Sequence, residues 1–98
     1  MLNIRILHYE EVNNPVNNQV AKVTVLLVEM RLIISGIRMY RNPQKTWMHI
    51  PAMREITETA VTWHPNVYFA DEAEDNAFKK LLFDAIIAYE EGEVRDVG

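Results

Sequence analysis

The amino-acid sequence predicts an α+β fold: an antiparallel β-sheet of about five strands with one C-terminal α-helix packed on it. Three observations lead there. Apolar residues recur at i, i+3, i+4 and i+7 only within Asp71–Glu91. β-Branched, alternating stretches fill the first half of the chain, at Asn3–Tyr9, Val20–Met30 and Leu32–Tyr40. The connections between those stretches are too short for parallel crossovers, so neighbouring strands run antiparallel.

The elements follow in order. Asn3–Tyr9 is a first strand that buries one face. Asn13-Asn14-Pro15-Val16-Asn17-Asn18 is a surface loop, because Asn tolerates left-handed geometry and Pro presets φ. Val20–Met30 carries Val23, Val25 and Leu27 on one face and Thr24, Leu26 and Val28 on the other, which predicts a central strand covered on both sides. One cover is the helix; the other is a loop or a second subunit. Leu32–Tyr40 returns, with Gly36 marking a bulge or a close backbone approach. Arg41–Lys45 is a turn around Pro43, Thr46–Ile50 pairs back, and Pro51 ends the ladder.

Ala52–Thr59 reads as polar and irregular, and Ala60–Phe69 as an extended aromatic stretch bent at His64-Pro65. In Asp71–Glu91 the capping-box spacing of Asp71 and Glu74 opens the helix. Phe78, Leu81, Leu82, Ala85, Ile86 and Tyr89 form its apolar stripe, and Gly92 stops it. Residues 93–98 read as a frayed tail. The 98 residues suit one domain spanning 1–98.

Composition narrows the function classes. There is no Cys, hence no disulfide and no thiolate metal site. The longest mainly apolar run, Val23–Val28, falls far short of the ~20 residues that span a bilayer. No basic segment leads into an apolar one at the N-terminus, so the expected location is cytoplasmic, with no membrane partner. A net charge of −4 speaks against a wholly basic polyanion binder. The charge is unevenly spread, however. Arg31 to Arg54 holds five cations (Arg31, Arg38, Arg41, Lys45, Arg54) and no acid, whereas Glu55 to Gly98 holds eleven acids against three bases.

On the residues alone, those cations read first as solvated strand and turn positions, paired in part with the acidic half. A phosphate-contacting role, with Trp47 or Tyr40 stacking on exposed bases, is the second reading. Trp47, Trp63, Tyr68 and Phe69 read first as core residues, and second as a stacking platform. His8, His49 and His64 have no metal-ligand spacing, and His64 is assigned to fixing the bend before Pro65. With no nucleophile constellation and no Gly-rich phosphate loop, no catalytic residue, metal or cofactor is assigned and the chain is expected not to be an enzyme. The acidic helix start, Asp71-Glu72-Ala73-Glu74-Asp75, is a candidate docking surface for a basic protein, and more simply a helix cap.

Several stations in this order resemble one known family: Ile33-Ile34 followed by Ile37-Arg38; Trp47-Met48-His49-Ile50-Pro51 with Arg54 beyond; His64-Pro65; and a helix ending near Ala88-Tyr89-Glu90. Together they resemble the stage V sporulation protein G family, the SpoVG septation regulators of bacteria, over nearly the whole chain. The resemblance implies an antiparallel sheet with a C-terminal helix, a strand-mediated homodimer, and non-enzymatic regulation through DNA or RNA binding. It implies nucleic-acid contact through Arg38, Arg41, Lys45 and Arg54, with Arg54 in a loop after Pro51. The chain departs from the family pattern at Gly36, at Met53 and in the acids that open the helix. The alternative expectation is a protein–protein module of the same fold that has lost nucleic-acid binding and uses the acidic helix start.

Overall fold

The computed structural model describes residues 2–14 and 17–92. It is an α+β structure of six strands and one helix: β1 (Ile4–Asn14), β2 (Gln19–Leu27), β3 (Leu32–Arg41), β4 (Thr46–His49), β5 (Ala52–Ile56), β6 (Val61–Pro65) and α1 (Glu72–Glu90). The strands form two antiparallel sheets, one in the order β1-β2-β3-β4 and one made of β5-β6. The expected 93–98 tail and the centre of the expected 13–18 loop lie outside the described residues.

The core lies between the four-stranded sheet and α1. β2 supplies Ala21, Val23, Val25 and Leu27, β3 supplies Ile34, Ile37 and Met39, and α1 supplies Phe78, Leu82 and Ile86. The three helical residues follow the predicted spacing and each contributes roughly 2 kcal/mol of burial. Leu81, expected in the same stripe, is 38% exposed, because the contact with the sheet is narrower than the apolar arc. The helix starts and stops where expected, but only the Asp71 half of the capping box forms, and the Glu74 side chain has no partner among the described residues. Asp71 Oδ1 accepts from Ala73 N at 2.8 Å and Glu74 N at 3.2 Å, and Gly92 takes φ +87° just past the end.

Gly36 does what an isolated strand glycine foretells. Val23 pairs with Ile37 and Val25 with Ile34, so Ser35 and Gly36 together oppose Thr24 in a bulge. Gly36 takes φ +78°, and a Cβ there would lie 3.6 Å from Pro51 Cγ, where the chain leaves β4 across the sheet.

Three expectations need correction. β1 runs on to Asn14 and absorbs part of the expected loop. Ala52–Thr59 is not irregular: Ala52–Ile56 pairs with Val61–Pro65 as a hairpin arm closed by Thr57 N donating to Ala60 O at 2.9 Å. That pairing needs only backbone groups, so polar side chains did not prevent it. The same pairing keeps His64 in a strand, where its Nε2 meets Glu55 Oε2 across the hairpin at 3.4 Å instead of fixing a bend. On the face of the sheet opposite the helix, Thr24 and Leu26 of β2 are half-buried, and Ile33 of β3, paired with Leu26, is 58% exposed. Among the described residues no helix is long and apolar enough to cross a membrane.

Candidate functional site

The open face of the four-stranded sheet gathers most of the chemistry. Strand alternation sends Ile37 and Met39 into the core, so Arg38 and Tyr40 point the other way; Arg38 is half-buried there, while Tyr40 is only 8% exposed, covered by Trp47 and His49. Register then fixes their neighbours. Arg38 lies between Lys22 on β2 and His49 on β4, and Tyr40 lies opposite Trp47. The Tyr40 and Trp47 rings stack at 5.6 Å with 9° between planes, and His49 lies 4.8 Å from Tyr40. The ammonium of Lys45 sits 5.1 Å over the Trp47 ring. The result is a strip running Lys45, Trp47, Tyr40, His49, Arg38, Lys22. No ion pair engages Lys22, Arg38 or Lys45 among the described residues.

The turn that presents Lys45 is held by one side chain. Asn42 Oδ1 accepts from Gln44 N and Lys45 N, both at 2.9 Å, and Asn42 N donates to Lys45 O. Stacking on Trp47 then orders an otherwise exposed lysine.

Arg41 belongs to the opposite face. As the last residue of β3 it reaches α1, where its Nη2 meets Glu90 Oε1 at 2.6 Å, and its Nε donates to Thr46 Oγ1 at 3.1 Å. The other carboxylate oxygen of Glu90 accepts from the Tyr9 hydroxyl at 2.5 Å. Burial, then the hydrogen bond to Glu90, hold the Tyr9 phenol well above its usual pKa. This trio clamps β1, β3 and the helix end together, so Arg41 is a brace.

Arg54 is on β5, not in a loop as the resemblance implied, because Met53–Glu55 pair across the arm with Thr62–His64. Directly opposite Arg54 is Trp63, which is 59% exposed. Trp63, Ile56 and Val61 share that face of the arm, all more than half exposed. Of the aromatics expected in the core, Phe69 alone packs there, edge-on to Phe78 at 5.2 Å. Trp47 is half-buried in the strip, and Trp63 and Tyr68 face solvent.

The four cations singled out in the sequence therefore separate. Arg38 and Lys45 share the open face, Arg54 lies on the adjoining arm, and Arg41 is committed to Glu90. Sequence reasoning missed Lys22 and His49, which reach the strip only through register, and ranked Trp63 as core ahead of a stacking platform because its exposure has no local signature.

The acidic helix start is partly consumed by structure. Asp71 caps, and Asp75 accepts from Phe69 N at 3.0 Å while pairing with Lys79 at 2.8 Å. The Lys79 ammonium, then the Phe69 amide, pull the Asp75 carboxyl below its usual value. Glu72 and Glu74 are exposed, with no side-chain partner among the described residues. Among the described residues no three His, Asp or Glu side chains gather as a metal site needs. Set against protein families, characterised proteins and solved structures, the chain matches none.

Proposed function

We propose that the chain is a non-enzymatic, cytoplasmic regulator that works as a homodimer and binds DNA or RNA across the open face of its sheet. The observation that carries this reading is the strip of cations interleaved with stacked aromatics, from Lys45 through Trp47, Tyr40 and Arg38 to Lys22. Cations without carboxylate partners match phosphate contacts, and the half-buried Trp47 ring, backed by the buried Tyr40, is the surface a base can stack on. The resemblance to the stage V sporulation protein G family agrees with it. Uncovered apolar side chains at Val28, Met30, Leu32 and Ile33 support a self-association surface.

Anisotropy titrations with labelled single- and double-stranded oligonucleotides at low salt test the reading. Lys22→Ala with Arg38→Ala should weaken binding and reduce the salt slope by about 1.4–1.8, at 0.7–0.9 per phosphate contact. Arg41→Ala should leave that slope unchanged. Absence of binding at micromolar protein, or a slope indifferent to the double substitution, rejects it. The protein-module alternative has Glu72 and Glu74 left as exposed, unpartnered acids of the helix start. Sedimentation at two salt concentrations tests the dimer.

A further inference from the structure

Beside the strip, the β4 edge and the base of the arm enclose a cleft of about 620 Å³. Its lining includes Arg38, Tyr40, His49, Ile50, Trp63 and Lys79. The volume lies within the range of small-molecule sites, and the lining combines apolar surface with a few convergent polar groups. Trp63 enters from β6 with more than half its surface bare. An indole left in water on a two-stranded arm, beside aromatic and apolar neighbours, leaves a slot whose walls suit a flat ring.

The charged side chains that line the slot itself are cationic, Arg38 and Lys79. Arg38 is half-buried and has no carboxylate partner among the described residues. Lys79 approaches from the helix, with its ammonium shared with Asp75 at 2.8 Å. His49 is exposed and held against Tyr40, and Arg54 lies across the arm from Trp63. The complement of these walls is a planar, apolar-faced group carrying an anion.

We infer that this cleft takes one unstacked nucleobase with its adjoining phosphate, the base lying on Trp63 and the phosphate meeting Arg38. The inference rests on the open-face reading and narrows it to single strands, because a base inside a duplex is already stacked and cannot enter a concave slot. A strand threading from the strip into the cleft bends at the β4 edge, with Arg38 serving both stretches.

The test uses a Trp47→Phe background, which leaves Trp63 as the single tryptophan of the chain. Its fluorescence is followed during titration with adenosine 5′-monophosphate, an oligothymidylate, an abasic strand of equal length and a duplex. Expected are quenching by the nucleotide and by the base-bearing strand, and binding by the abasic strand and the duplex weaker by about tenfold, the scale of one stacked base. In the parent chain, anisotropy should show Trp63→Ala weakening the oligothymidylate by about tenfold, with Trp63→Phe restoring most of it. Circular dichroism confirms that each variant folds; the residue is exposed, so it should. Equal binding of the abasic and base-bearing strands, unchanged by Trp63→Ala, overturns the cleft and leaves the open-face reading standing. Trp63 quenching by the nucleotide, with oligonucleotide binding indifferent to Lys22→Ala plus Lys45→Ala, upholds the cleft and removes the strip. No quenching by nucleotide or strand overturns the inference.

Discussion

Glu90 offers the sharpest check on which cations are free. Replacing it with Gln keeps its shape and removes its charge. The carboxylate now meets Arg41 at 2.6 Å and Tyr9 at 2.5 Å, and its side chain is only 10% exposed against 44% for Arg41. Hydrogen bonds to charged groups contribute about 1.5–3 kcal/mol, but a half-exposed guanidinium recovers much of that from water. The amide can still accept one of the two bonds. Together these put the loss at about 1–2 kcal/mol, or roughly 5–15 °C in Tm for a domain of this size.

The same reasoning requires coupling. Arg41→Ala should cost a similar amount, and the double variant should cost less than the sum by about 0.5–1.5 kcal/mol. Thermal and urea unfolding of the four proteins measure it. A coupling below about 0.3 kcal/mol would show that the pair does not form. An Arg41→Ala protein with full stability and lost oligonucleotide affinity would show Arg41 to be a ligand contact, and the assignment of faces would fail.

Two other outcomes follow from local geometry. Gly36→Ala should destabilise by about 1–2 kcal/mol, since φ +78° is disfavoured for any side chain while the added methyl meets Pro51 only at ordinary contact distance; unchanged unfolding would mean the bulge relaxes freely. Asp75 has a carboxyl pKa depressed in the fold, so its contribution is full above the ordinary carboxylate range and is lost as pH falls through the lowered value. The stability gap between the parent and Asp75→Asn should therefore shrink as pH falls below the ordinary carboxylate range, and parallel curves there count against the Lys79 pairing.

What the sequence disclosed depended on whether a segment buries one face. α1 was legible because Phe78, Leu82 and Ile86 must touch a core, and its ends were legible because Asp71 and Gly92 have few other uses. β2 was legible for the same reason. The β5-β6 arm was not, because it buries neither face. Met53 points one way and Ile56 the other, polar residues lie between them, and no alternation survives to be read. Trp63 was assigned to the core on the general habit of tryptophan, and only the pairing with Arg54 reveals it on an uncovered surface. Arg41 and Lys45 looked equivalent at the two ends of one turn. A single step in strand parity separates them: Arg41 faces α1, and the turn carries Lys45 back over Trp47.

The position of the strip depends on one irregularity. On β3 the core position before the bulge is Ile34, and unbroken alternation from it would send Arg38 and Tyr40 toward the helix, with Ile37 and Met39 facing water. A bare guanidinium under Phe78 and Leu82 would cost far more than the strain at one glycine. The extra residue at Ser35-Gly36 resets the parity, returning Ile37 and Met39 to the core and moving Arg38 and Tyr40 to the face with Lys22, Trp47 and His49. Pro51 lies beside the bulge, 3.6 Å from where a Gly36 Cβ would stand, just before the arm begins at Ala52. One backbone feature thus sets the surface on which Arg38 and Tyr40 lie and meets the chain at Pro51, where it leaves β4 for the arm.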